Sequence, residues 1–392
     1  MAHRSPSAPF TLSLLLAALP ACADPDPMGD TSATQTTSDG STSSGETETT
    51  GVVGCEGVAV PAIDESGCEP LATDYQPRTN SSADDMWAAC ITDDATYHLV
   101  ASSPGTIARI EAYEAIADLL WRGGTPTPAD FTAARDQYVL AEGLESRLVR
   151  REDLHLPPIP MADWDPGVDP DKQCTVEANV QKYPERCVGP AKMAPLIAGA
   201  FDKGQLGQGD PDVLAAEIQA GLLWFLNLSV YKEANTCATV ASKDCDSAWA
   251  YYNGGTDLNG GLGMATPIKE QSFDSHARIW DGILAVRCWR DLYADGGAYP
   301  TLGTLDAAAV ALFDRGWEQL DQALHRGHAL IVRERLEGMI DRACAGAATA
   351  ADWAFLRVAG PVLDREAAER DPALAAELAV GVDLLDALFP CG

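Results

Sequence analysis

Basic side chains are scarce in this sequence. Against 58 Asp and Glu stand 27 Lys and Arg, a formal charge of −31 at neutral pH. A surface this acidic is repelled by nucleic-acid phosphate and by anionic headgroups, so neither is an expected partner. For most of these carboxylates the plain role is solubility. No Cys-x-x-Cys occurs, which removes the two-by-two thiolate spacing of a structural zinc site. The phosphate-cradling pattern GxxxxGK[ST] is absent too. Period-two apolar alternation, the signature of half-buried strands, is almost missing. No Ser sits in a nucleophile-elbow context, and no Ser-His-Asp or Cys-His order can be argued. The chain is therefore not expected to be an enzyme.

What is present begins at the N-terminus. Arg4 precedes the apolar run Phe10–Leu19 (FTLSLLLAAL), which is too short to span a bilayer and fits the h-region of an export signal. It ends in Leu19-Pro20-Ala21-Cys22, which resembles the bacterial lipobox, with Pro20 in place of a small residue. The reading is a signal peptide over 1–21 and a lipid-bearing Cys22, with the lipid bilayer as partner through that anchor. More than one acyl chain gives stable anchoring where a single chain does not. Residues 24 to about 54 are Ser, Thr, Gly, Asp and Glu with almost no large apolar side chains. Such a stretch buries too little to offset its ordering entropy and reads as a tether. The folded domain is expected over 55–392.

Eleven Cys occur. With Cys22 assigned to lipid, ten remain, an even number that suits an oxidising compartment. Cys55/Cys68, Cys174/Cys187 and Cys237/Cys245 lie close enough in sequence to staple local loops. Cys90 with Cys288 and Cys344 with Cys391 are the expected long-range pairs.

The folded part carries the 3.6-residue apolar period in segment after segment. Ser103-Pro104 opens a helix through Ile107, Ile110, Tyr113, Ile116 and Leu120, stopped at Gly123-Gly124. Thr127-Pro128-Ala129-Asp130 starts another, expected to run to about Asp153. Residues 154–191, rich in Pro, read as a long stapled crossover. Further helices are expected at 192–203, 211–235, 245–253, 272–294, 304–344 (with a break near Gly327), 350–368 and 371–388. The expected fold is all-α: helical bundles with long disulfide-stapled loops. A Trp-Ala-aromatic echo between Trp249-Ala250-Tyr251 and Trp353-Ala354-Phe355 allows two pseudo-repeated four-helix units.

Those same residues carry a family resemblance. Trp249-Ala250-Tyr251-Tyr252 followed by Gly254, then Ala285-Val286-Arg287-Cys288, then Trp353-Ala354-Phe355 with Arg357-Val358 and Pro361, resemble the algal-type low-iron-inducible periplasmic iron-assimilation proteins, the FEA family. The likeness covers about residues 200–370. It departs at Leu356, where an aromatic is expected, and at Val286, where a basic residue is. The resemblance implies extracytoplasmic iron acquisition, with iron as the suspected metal; the alternative is a non-catalytic surface interaction or scaffold lipoprotein without metal. The Gly-x-His-x-x-Glu hallmark of imelysin-type and EfeO-type proteins is missing, since Ile279 and Ile331 follow His276 and His328 at +3.

Hard cations take carboxylate, phenolate and imidazole groups converging from several helices. The candidate metal ligands are Glu111 and Glu114, one helical turn apart around Tyr113, then Tyr231 and Glu233 after a strongly apolar stretch. Glu270, Asp274, His276 and Asp281 cluster about the start of the 272–294 helix, where Asp274 is also a plausible helix-start residue. His325 and His328 also stand one turn apart, but among Arg326, Arg333 and Arg335, and are expected at the surface. The loop Asn253–Gly263 offers Asp257 and Asn259 in the manner of a calcium loop, without the closing Glu of an EF-hand.

Overall fold

The computed structural model describes residues 62–77, 86–141, 143–149, 163, 165–168, 170–182, 192–239, 241–293 and 305–373. The export signal, Cys22 and the tether lie outside the described residues, as do Cys55, Cys187, Cys391 and most of the helix expected at 371–388. Among the described residues there is no strand. The α-helices are α1 (Pro104–Leu120), α2 (Pro128–Tyr138), α3 (Leu144–Leu148), α4 (Glu177–Lys182), α5 (Met193–Gln205), α6 (Pro211–Thr239), α7 (Lys243–Asn253), α8 (Ala265–Gln271), α9 (Phe273–Tyr293), α10 (Ala307–Cys344), α11 (Ala350–Ala359) and α12 (Pro361–Arg370).

Local chemistry explains the boundaries. Thr127 and Asp130 form a reciprocal capping box, Thr127 N donating to Asp130 Oδ2 at 2.8 Å, with Pro128 at the first helical position of α2. The helix stops at Tyr138 rather than near Asp153, because a tight turn follows in which Gly143 N donates to Leu140 O at 2.6 Å. Pro361, which has no N–H to donate, separates α11 from α12 where one helix was expected. The Pro-rich crossover holds the short α4 and a 3-10 turn at Pro170–Thr175.

Helix α6 organises the interior. Over Pro211–Cys237 it is long and apolar enough to cross a membrane, with mean hydropathy 1.5, yet 83% of that window is buried in the fold. A helix that is apolar all round belongs in the middle of a core. α5, α7 and α11 pack against it, α1 and α2 pair beside α5 and α7, and α9 packs along α10. One apolar core runs through all of them, from Phe131 and Phe201 through Leu222–Leu226 to Ile279 and Leu330. The two Trp-Ala-aromatic helices, α7 and α11, both pack on α6, and they share this core rather than dividing it.

α10 is a continuous helix of 38 residues, about 57 Å long at 1.5 Å per residue. Gly327 does not break it. A side chain there would meet Ile268 and Ile279 at 2.7 Å, so the glycine permits α8 and α9 to approach.

A strap formed by residues 62–77 and 86–101 crosses α9 and α10. Arg278 and Asp74 form a buried ion pair, and Gln319 closes on Tyr75, accepting from Tyr75 N at 2.9 Å and donating to Tyr75 O at 3.1 Å. Arg326 Nη2 donates to Asp64 O at 2.9 Å and Trp280 Nε1 to Ala95 O at 3.2 Å. Buried Asp246 of α7 accepts from Tyr97 Oη at 2.9 Å, Val100 N at 3.0 Å and Ala101 N at 2.7 Å. The expected Cys90–Cys288 disulfide joins the strap to α9, with Cα atoms 5.7 Å apart, and Cys237–Cys245 links α6 to α7. Cys68, Cys174 and Cys344 are also disulfide-bonded.

Candidate functional site

The candidate metal ligands do not come together. Glu111 is exposed on α1 and Asp274 on the first turn of α9, where Ser272, not Asp274, caps the helix by accepting from Ser275 N at 3.0 Å. Tyr231 is buried on α6 with its ring edge-on to Trp317 at 4.8 Å. Glu233 lies one turn before the Cys237–Cys245 disulfide, where its charge acts on Asp244 of α7. Burial, and then the Glu233 charge, push the Asp244 carboxyl up. Asp281 is buried within α9. Among the described residues no three His, Cys, Asp or Glu side chains are grouped as a metal would require.

His276 is wholly buried and both of its nitrogens are engaged. Nε2 lies 2.8 Å from Leu258 O, and Nδ1 lies 2.8 Å from Tyr252 Oη. A carbonyl can only accept, so Nε2 carries the proton and Nδ1 accepts from the phenol. Burial depresses its pKa, which keeps the ring neutral. The imidazole thus fastens the glycine-rich loop to α9.

Helix α8 supplies the loop with a cation. Asp257 Oδ1 accepts from Asn259 N and Gly260 N, both at 2.9 Å, turning its carboxylate inward. Lys269 Nζ donates to Asn259 O at 2.9 Å and also to Gly260 O. The ammonium stands where a calcium-like ion would have met these carbonyls.

His325 and His328 are buried, not at the surface. Their exposures are 2% and 0%, because this stretch of α10 lies inside the core between α8, α9 and α11. His325 Nδ1 donates to Asp321 O at 2.9 Å and His328 Nε2 to Ala359 O at 3.0 Å. Desolvation drives the His328 pKa down to about 4. The neighbouring Arg326 reaches the strap, and Arg333 pairs with Glu337 at 2.6 Å.

Farther along α10 the packing opens into a cleft of about 360 Å³, within the usual size range of small-molecule sites. Its floor is apolar and aromatic: Tyr113, Trp121, Leu223, Ile331 and Phe355, with the Tyr113 and Trp121 rings 5.7 Å apart. Its walls carry Arg122, Arg335 and Arg342 against Glu270 and Glu334. In a chain with more than two acids per base, this local excess of guanidinium is unusual.

Each charge is held differently. Arg122 bonds Glu114 at 2.6 Å and Asp118 at 3.1 Å, and the other Glu114 oxygen accepts from Gly263 N at 2.6 Å. Arg335 and Arg342 share one carboxylate. Arg335 Nε lies 3.2 Å from Asp352 Oδ1, Arg342 Nε lies 2.7 Å from Oδ2, and Arg342 Nη2 also bonds Oδ1. The Arg335 guanidinium lies over the Phe355 ring at 4.6 Å. Glu334 accepts from Gln271 Nε2 at 3.2 Å. Burial first, and the Glu270 charge second, raise its pKa.

Of the eight residues expected to bind metal, Glu270 lines this cleft and Glu114 holds its rim. Glu334, Arg335, Arg342, Asp352 and Phe355 were not anticipated. A signal was there to read: Ile331, Glu334/Arg335, Gly338 and Arg342 recur at the 3–4 spacing of one helix face, so charges stand at apolar-face positions.

Comparison with protein-family models, curated proteins and solved structures gives no match for this chain. The likeness to the iron-assimilation family rests on its short motifs, and most of their residues have packing partners. Trp249 stacks on Tyr97 at 4.6 Å, Arg287 donates to His98 O at 2.9 Å, and Cys288 forms the strap disulfide.

Proposed function

We propose that this chain is an exported lipoprotein, held to a bilayer through Cys22, whose folded part is a non-catalytic binding protein with its site in the cleft bordered by α1, α6, α8, α10 and α11. The observation that carries the reading is the cleft itself: an aromatic floor beneath five charged walls, three of them guanidinium. The strap supports it as well. The polypeptide that follows the tether is covalently and ionically fixed to α9 and hydrogen-bonded to α10, so an anchor at the N-terminus would hold the domain through this strap.

A small organic ligand suits this cleft better than bare iron. The two carboxylates that could take a cation, Glu270 and Glu334, have Arg335 and Arg342 in the same cleft, and like charge there opposes metal entry. Binding rather than catalysis is supported by the fate of His276, whose two nitrogens are both committed within the protein.

Two measurements test this. Replacing Cys22→Ala moves the protein from the membrane fraction to the soluble fraction; continued membrane retention sinks the anchor. Calorimetric titration of the tether-free domain with iron, zinc and copper gives no heat above buffer. Stoichiometric binding of any of them would restore the metal site in place of the organic one.

A further inference from the structure

The cleft's charges are arranged by sign, and the arrangement specifies a ligand. On one side, α10 and α11 bring two guanidinium groups to one carboxylate. Asp352 offers two oxygens, both taken by Arg342, with Oδ1 shared by Arg335 Nε. One positive charge is left over, together with N–H donors. Arg335 Nη2 donates to Gln219 Oε1 at 3.4 Å. On the other side, Glu270 from α8 and Glu334 from α10 bring two carboxylates, and Glu334 accepts from the neutral Gln271 amide while Arg335 acts on it through charge. Two neighbouring carboxylates repel each other, and a cation that arrives with the ligand relieves that repulsion. Beneath both sides lies the apolar floor of Tyr113, Trp121, Leu223 and Phe355.

Resting on the proposal that the cleft is the binding site, we infer that it takes a small zwitterion of the α-amino-acid class, free or as a dipeptide. The ligand carboxylate meets Arg335 and Arg342, its ammonium meets Glu270 and Glu334, and its side chain lies on the aromatic floor. Bidentate guanidinium–carboxylate contact supplies orientation as well as strength. An aromatic floor favours an apolar or aromatic side chain on the ligand, and also accepts the edge of an ammonium group. A ligand with a single charge leaves one wall unsatisfied, and the penalty for that is larger than the bond's net contribution.

The experiment uses the purified full-length lipoprotein in detergent. Calorimetry first surveys the L-amino acids and a set of dipeptides, then compares the tightest binder with its N-acetyl derivative, which lacks the ammonium, and its carboxamide, which lacks the carboxylate. The amino acid or dipeptide binds, and each derivative binds at least about tenfold more weakly, as loss of a charge-assisted contact implies. Glu334→Gln weakens the zwitterion and leaves the N-acetyl derivative unchanged. Arg342→Gln weakens the zwitterion and leaves the carboxamide unchanged. Unaltered thermal melts establish that both variants fold; should Arg342→Gln unfold, Arg335→Lys tests the same wall.

No binding by any amino acid or dipeptide at millimolar concentration overturns the inference. A derivative that binds as tightly as its parent, with affinity still lost in Glu334→Gln, overturns the zwitterion while leaving the cleft as a binding site. Iron, zinc or copper binding that disappears in Glu334→Gln overturns both this inference and the metal-free reading.

Discussion

Helix α10 is used in two ways along its length. Between Gly316 and Arg333 the polar side chains it buries each reach a particular partner: Gln319 the strap backbone, Arg326 the Asp64 carbonyl, His328 the Ala359 carbonyl, Arg333 the Glu337 carboxylate. From Glu334 to Arg342 the charges are half-exposed and unevenly compensated, with two guanidinium groups on Asp352 and Glu334 near Glu270. A buried side chain with a dedicated partner marks structure, whereas unbalanced charge around a cavity marks a place prepared for something else. The distinction matters because both halves carry the same residue types, and neither composition nor charge separates them.

Substitutions should divide along the same line. The largest stability loss belongs to the strap: Asp74→Ala leaves Arg278 buried without its carboxylate and lowers the unfolding free energy by about 3–5 kcal/mol. Urea titration reads this directly, and a loss below about 1 kcal/mol would remove the strap from the structural half.

Next comes acid. His328 has a folded pKa near 4 against an ordinary value of 6.5, so the unfolded chain binds its proton first as pH falls. The stability it contributes is complete above pH 6.5, declines from there, and is gone below about pH 4, a change on the order of 3 kcal/mol. His276, lowered by burial, acts in the same direction. Thermal melts from pH 7 to 4 should therefore slope downward, and His328→Asn should flatten the slope. An unchanged slope in that variant would assign the acid sensitivity to other groups.

Gln319→Leu strips Tyr75 N–H and C=O of their partner and is expected to cost about 1–3 kcal/mol, again by urea titration. The smallest effect lies in the cleft. Glu334→Gln removes a carboxylate whose charged form burial disfavours, so stability at neutral pH should stay level or rise slightly while ligand binding falls. A clear destabilisation by Glu334→Gln would break the comparison, because it would place this residue with the structural half.

Much of the architecture was readable in advance, for local reasons. Thr127-Pro128-Ala129-Asp130 contains its own capping box, the stretch around Trp224 is apolar on every side, and the alternatives to helix were nearly absent. Cys237 and Cys245 are near in sequence, so their pairing needed little from the fold. The site was less legible. His276 drew attention as an imidazole beside acids, but hydrogen bonding is decided by which carbonyl and which phenol the fold delivers. Glu270 was singled out for a metal and stands instead in a cleft beside guanidinium groups. His325 and His328 looked solvent-facing because Arg flanked them, yet those Arg side chains reach the strap and a neighbouring turn.

The amino-acid sequence by itself determined the all-α class, and it supplied the export-and-tether organisation and the oxidising compartment as expectations. Each of these depends on interactions within a turn or two, or on composition. Only the tertiary structure decided which polar groups are satisfied and which surround a cavity. That depends on residues such as Asp74 and Arg278, or Glu270 and Glu334, which lie far apart along the chain until apolar burial around α6 brings their helices together.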